Sequence, residues 1–218
     1  MRKPKTGTAE IAPPEPPEVG AGAGGPLETL EDEGFYADRV LEGGDLSDAE
    51  AEAVRFERVR MEGTRLARTR LARLVMADAR LDSCDLAGIQ WEKSYLRRVE
   101  WTGCRLVGAR LSRSELHDAV LRECNAEMAL FVSATFVGAR LERCNLRGAS
   151  FEGADLRGVV FRDCDLRGAD LRGARLRGTD VRGSELEGVQ IGAPEMAGLV
   201  VEPAQAVDLV VRLGVRVE

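Results

Sequence analysis

Three observations make the predicted fold an all-β solenoid with four-sided coils. An apolar residue returns at every fifth position from Phe56 to Val201, across 30 successive registers. The five cysteines, Cys84, Cys104, Cys124, Cys144 and Cys164, are each 20 residues apart. Glycine closes many five-residue units, as at Gly148, Gly153, Gly158, Gly168 and Gly173. A period of five suits neither an amphipathic helix nor a strand. A short period sustained this long belongs to a solenoid, in which each unit buries its apolar face against its neighbours. A column that repeats every fourth unit makes each unit one side of a four-sided coil.

Within a unit the central residue points inward. Leu86, Trp91, Trp101, Leu106, Phe131, Phe136, Leu146, Phe151, Phe161 and Leu166 are therefore core positions; among the centres only Ala126 is small. A second inward position lies two residues earlier and holds the cysteines or small residues such as Ala109, Ala129, Ala149 and Ala169. Thr64 and Ser184 occupy the two ends of the cysteine column. The other three positions face solvent and are rich in Arg, Asp, Glu and Gly. Glycine there fits a corner turn, where a positive φ is needed.

Three regions follow. Residues 1–34 have no period and hold Pro13, Pro14, Pro16, Pro17 and a Gly/Ala run, which reads as a disordered acidic tail. Its basic start, Arg2, Lys3 and Lys5, is not followed by an apolar stretch, so it does not read as a signal peptide. Residues 35–202 are the solenoid. Over 44–54 two readings stand: a degraded first coil, or a short helix with Ser47 and Glu50 as a capping box. Residues 203–218 read as a cap, a helix over about 203–213 that starts at Pro203 and stops at Gly214, followed by Val215–Val217 as a closing strand. An open solenoid end exposes core and strand edges, so a cap is physically required.

Segments such as Cys144-Asn-Leu-Arg-Gly148, Ala154-Asp-Leu-Arg-Gly158 and Cys164-Asp-Leu-Arg-Gly168 resemble the A(D/N)LXX motif of the pentapeptide-repeat family. The resemblance implies a right-handed quadrilateral parallel β-helix of about eight coils, stacked about 4.8 Å apart. It also implies a partner and an activity: protection of bacterial type II topoisomerases such as DNA gyrase from quinolones or toxins, by a dimeric acidic rod that imitates DNA. Homodimerisation through the C-terminal cap is a further implication, with Leu209, Val210 and Leu213 as the apolar surface. The same residues are needed to cover the coil end.

Charge separates the topoisomerase reading from a plainer one. The chain has a net charge of −6, but residues 51–201 hold 22 acids and 25 bases. The acidity belongs to the tail, and the rod is slightly basic. Electrostatic imitation of DNA needs a broad negative field, which formal charge does not supply here. The unbroken phase also leaves no room for the interrupting loops that the resemblance associates with quinolone resistance.

Side chains that could carry chemistry have plainer readings. The cysteine ladder fits small buried side chains; coil spacing exceeds what a disulfide prefers, and one wall of thiols cannot surround a metal tetrahedrally. Free thiols suit a reducing cytoplasm. His117, the single histidine, follows a central leucine and lacks an oriented partner. Arg147, Arg157, Arg162, Arg167, Arg172, Arg177 and Arg182 alternate with aspartates as a solvated charge lattice. Exposed aromatics for stacking on nucleic acid are few, and no run of about 18 apolar residues spans a membrane.

One stretch breaks the pattern. In 124–137 the register turns Met128, Leu130, Val132 and Val137 outward, beside the underfilled centre Ala126. Grouped exposed apolar residues mark an interaction site; the alternative is that Met128 or Leu130 tucks inward to replace the missing bulk. The sequence therefore predicts a non-catalytic, cofactor-free cytoplasmic protein that presents a rigid surface to a protein partner.

Overall fold

The computed structural model describes residues 11–18, 27–212 and 214–217. Among the described residues eleven strands and one helix follow in order: β1 (Phe35–Glu42), β2 (Glu50–Glu52), β3 (Arg55–Glu62), β4 (Arg70–Ala72), β5 (Val75–Asp82), β6 (Tyr95–Thr102), β7 (Glu115–His117), β8 (Val120–Arg122), β9 (Thr135–Val137), β10 (Arg140–Glu142), β11 (Val160–Arg162) and α1 (Pro203–Arg212). Every strand pairing is parallel and shifted by 20 residues, from Phe35↔Arg55 to Leu141↔Phe161. Isolated bridges carry the same register to Asp180↔Val200. Four pentads therefore make one coil, and the chain is a parallel β-solenoid.

Backbone hydrogen bonds hold coil to coil at each side. The amide of a central residue donates to the next coil, as in Leu111 N–H to Leu130 O at 2.8 Å. The preceding amide donates to the coil before, as in Arg110 N–H to Ile89 O at 2.8 Å. The long strands β1, β3, β5 and β6 each turn a corner through one residue with positive φ: Asp38, Arg58, Asp78 and Arg98, at 52°, 48°, 54° and 49°. A non-glycine there costs about 1–2 kcal/mol, least for Asp or Asn. Further along, glycines such as Gly148 and Gly168 take the corners at 61° and 68° without that cost.

The core is one continuous column. Leu86, Trp91, Trp101, Leu106, Phe131, Phe136, Leu146, Phe151, Phe161 and Leu166 are all buried in it. The interior is rich in rings around Ala126: Phe131 stacks on Phe151 with centroids 5.0 Å apart, and Phe131 meets Phe136 edge-on at 5.6 Å. Residues 44–54 form a side of the first coil rather than a helix, with Leu46 N–H donating to Arg65 O at 2.8 Å and β2 paired to β4.

Both ends are covered. At the first coil Leu27 and Leu30 pack on the core, and Glu52 N–H donates to Asp32 Oδ1 at 2.8 Å. Residues 11–18 lie against the side of the rod, with Glu15 N–H donating to Asp78 Oδ1 at 3.1 Å. Of residues 1–34, read from sequence as a disordered tail, 11–18 and 27–34 make these contacts, and the rest lie outside the described residues. At the last coil, α1 is anchored by Gln205. Its Oε1 accepts Glu202 N–H at 2.8 Å, and its Nε2 donates to Val181 O and Ser184 O at 2.8 and 2.7 Å. This is half of a capping box joined to a bond that satisfies carbonyls of the exposed coil edge. Leu209 is 5% exposed and belongs to the core. It covers the coil end; Val210 is half-buried, and Leu213 lies outside the described residues. Val215–Val217 is exposed and forms no strand.

Candidate protein-interaction surface

The apolar residues of 124–137 sit where three sides of the rod meet. Met128 occupies a corner at φ 57° and is 60% exposed, while the centre Ala126 is fully buried. Met128 therefore does not tuck inward; the mutually packed Phe131, Phe136 and Phe151 rings share the core with Ala126. Its corner column carries glycine in the neighbouring coils, at Gly108 and Gly148, and a Cβ added at Gly148 would meet Met128 Sδ at 2.5 Å. The methionine chain lies in the space that this glycine leaves. Leu130 and Val132 are half-buried on the adjoining side, and Val137 is 48% exposed on the next. The outward assignment is thus full for Met128 and Val137 and partial for Leu130 and Val132. Above and below, Leu130 pairs with Arg110 and Ser150, so polar coils border the apolar band.

Ion pairs between neighbouring coils cover much of the rest of the rod. Arg65 bridges Asp45, Arg68 bridges Asp48, Arg105 bridges Asp85 and Arg143 bridges Glu123, each across one coil at 2.6–3.2 Å. Toward the C terminus the pairs lie within one pentad: Arg157–Asp155, Arg167–Asp165, Arg172–Asp170 and Arg182–Asp180, all at 2.6 Å. Each aspartate also accepts the backbone N–H of its arginine. The guanidinium bond holds these four carboxyls below the usual range, against the opposing effect of burial. Such pairs are local and add little net field. On the side bearing Trp91, Arg73, Lys93 and Arg113 stack in one column, a basic rather than acidic line.

The cysteine ladder is built into the wall. Each sulfur lies 3.2–3.6 Å from a main-chain carbonyl of the coil before: Cys84 with Met61, Cys104 with Leu81, Cys124 with Trp101, Cys144 with Leu121 and Cys164 with Leu141. Ser114, Thr179 and Ser184 make the same bond to Trp91, Leu156 and Phe161 at 2.9, 2.7 and 3.2 Å. Ser184 thus takes the place of the cysteines at the end of their column with the same bond. All five thiols are free and buried. The neighbouring thiol and burial push the Cys84, Cys124 and Cys164 thiols up. His117 faces Glu115 at 3.2 Å and tilts against the Tyr95 ring at 5.2 Å. Among the described residues no group of His, Cys, Asp and Glu is placed to hold a metal ion, and no helix is long and apolar enough to cross a membrane.

Residues 94–171 match the family described as pentapeptide repeat region, and the 20-residue register runs unchanged to either side of that segment. The flanking coils share the parallel, four-pentad form of the segment that the family model matches. Among solved structures the chain is similar to full-length QnrB1, a plasmid-mediated fluoroquinolone resistance protein, at 22% identity over 88% of this chain and 100% of that chain, with a TM-score of 0.49. It is also similar to a pentapeptide repeat protein of the Arabidopsis thaliana thylakoid lumen, at 25% identity over 47% and 71% of the two chains and a TM-score of 0.45. HetL of the cyanobacterium Nostoc, a pentapeptide repeat protein involved in heterocyst differentiation regulation, is 21% identical over 80% and 86%, with a TM-score of 0.37. No curated protein matches the chain.

Sequence reasoning points to Met128, Leu130, Val132 and Val137 and misses three other elements. Leu27 and Leu30 were legible only as two leucines three apart in a Gly/Pro-rich stretch. Gln205 carried a signal as the third helical residue after Glu202. The Asp78–Arg98 pair, at 2.5 Å, was visible as an alternation of Asp and Arg every 20 residues from Asp38 to Asp118.

Proposed function

We propose that the protein is a non-catalytic binding rod that presents a rigid apolar band to a protein partner. The observation that carries this reading is Met128, a large apolar side chain 60% exposed at a corner that sterics disfavour for any residue but glycine. Val137, Leu130 and Val132 extend the apolar surface around three sides, on a backbone held by hydrogen bonds to the coils before and after. Rigidity lowers the ordering cost of association, and methionine adapts to varied apolar partners. The columns of paired charges beside the band would form its polar rim.

Protection of DNA gyrase, the activity class to which fluoroquinolone resistance in QnrB1 points, would need a continuous acidic surface. The pairing of Arg65, Arg68 and Arg105 with carboxylates of the coil before, and the line Arg73, Lys93, Arg113, argue against it here. A gyrase supercoiling assay with and without a fluoroquinolone tests that reading: no rescue and no inhibition is expected. The binding rod itself is tested by affinity capture from the native cell with the wild-type chain and with Met128→Asp/Leu130→Asp. Loss of one discrete partner in the variant is expected, and retention of every partner would refute the assignment.

A further inference from the structure

Residues 11–18 read Ile-Ala-Pro-Pro-Glu-Pro-Pro-Glu and form neither helix nor strand. Ile11, Pro14 and Pro17 are half-buried, and the residues between them are exposed. Burial with a period of three is the signature of a polyproline II helix lying on a surface, since that helix has three residues per turn. Proline supplies its φ without cost.

The contacts have the same period. Between Pro13 and Glu18 only Glu15 and Glu18 have an amide hydrogen. Both donate it to the rod: Glu15 to Asp78 Oδ1 at 3.1 Å, Glu18 to Asp38 Oδ1 at 3.0 Å. Asp38 and Asp78 stand at matching corners of β1 and β5, two coils apart through β3. Three residues of polyproline II advance about 9.3 Å. Two coil spacings advance about 9.6 Å. The helix repeat and the solenoid repeat are therefore commensurate, and a Pro-Pro-x segment meets one aspartate at each of its turns.

The rod side of the contact is prepared for this. The corner column reads Asp38, Arg58, Asp78, Arg98, Asp118 in successive coils. Arg58 binds both oxygens of Asp38 at 2.7 Å, and Arg98 binds both oxygens of Asp78 at 2.5 Å. Each arginine fixes and neutralises its carboxylate, and the carboxylate keeps a lone pair for an incoming amide. Arg98 also reaches the Glu15 carboxylate at 3.9 Å. Asp78 is only 4% exposed, a buried charge whose remaining hydrogen bond comes from the strap.

We propose that this wall is a docking groove for polyproline II segments, occupied in cis by residues 11–18 and available in trans to a partner's Pro-Pro-x segment with an N–H at every third residue. The groove reads main-chain amides at a spacing set by the solenoid rather than by loops. It is distinct from the band around Met128, and the strap competes with any partner that uses the wall.

The test uses the full chain. Hydrogen exchange by NMR should show the Glu15 and Glu18 amides protected at least about tenfold relative to a free peptide of residues 9–20. In a second arm that peptide is titrated into the wild-type chain and into a chain with Pro13, Pro14, Pro16 and Pro17 all replaced by serine, which leaves the rod untouched. With its groove vacated, the variant should bind the peptide about tenfold more tightly than wild type. Asp38→Ala in that background should weaken binding, and a peptide with alanine in place of every proline should not bind. Free-peptide exchange rates at Glu15 and Glu18, no binding to the vacated groove, or equal binding of the proline-free peptide would each overturn the proposal.

Discussion

At the scale of single residues, the solenoid separates side chains by what a narrow coil can hold. A central residue such as Leu146 is fully buried between coils, so truncation leaves a cavity that neighbouring rungs cannot close. Leu146→Ala should cost about 2–5 kcal/mol in denaturant unfolding. Leu146→Arg should unfold the flanking coils, seen as loss of the cooperative transition. The corner positions obey a different rule. Met128 holds φ 57° while neighbours in its column are glycine. Met128→Gly should therefore raise stability by about 1 kcal/mol, as relief of left-handed strain outweighs added chain entropy, while weakening partner binding. A Met128→Gly chain that is less stable than wild type would mean that the methionine is a packing residue. The inward position two before the centre is sealed, whether it holds alanine or cysteine. The five cysteines should thus react with a thiol reagent only as fast as the rod opens, and labelling at free-thiol rates in native buffer would contradict their burial.

At the scale of elements, the parts that repeat were legible in the sequence and the parts that end the repeat were legible only in outline. Thirty registers of apolar centres define the coil without reference to any distant residue. The N-terminal cap depends on Leu27 and Leu30 meeting the first coil, and the strap depends on Asp78, 63 residues beyond Glu15. Composition alone says that a Pro-rich segment has no core of its own; it cannot say that a wall is waiting for it. The apolar band at 128–137 was legible because the register fixes which way each side chain points, whereas the partial burial of Leu130 and Val132 depends on packing within the side. The C-terminal helix was legible from Pro203 and Gly214, but its anchor was not: Gln205 reaches carbonyls of Val181 and Ser184. Gln205→Leu should expose or strand those carbonyls and lower stability by about 1–3 kcal/mol, with hydrogen exchange rising first in the last coil. The strap has its own pH signature. Hydrogen bonds from Arg58 and from the Glu18 amide hold the Asp38 carboxyl at about 2, below the usual range. A lowered folded-state pKa means that this contribution is fully present above about pH 4. It is lost as pH falls toward about 2, so protection of the Glu18 amide should fade across that interval while Arg58 stays charged. Unchanged protection down to pH 2 would show that Asp38 does not hold the strap.

At the scale of the whole molecule, stability is a sum over coils and their interfaces, with both ends covered. The rod presents several chemistries on one rigid frame: paired charges, a basic line, a proline-covered wall and one apolar band. On the proposed reading, the apolar band is the feature that sets the rod apart from a merely solvated repeat. The measurement that tests this most directly is site-specific photocrosslinking in the native cell, with a photoreactive residue placed at position 128 or, as a control, at position 172 among the paired charges. One discrete protein adduct from position 128 and none from 172 is the predicted result. Equal crosslinking from both positions, or none from 128, would contradict a partner site at the apolar band.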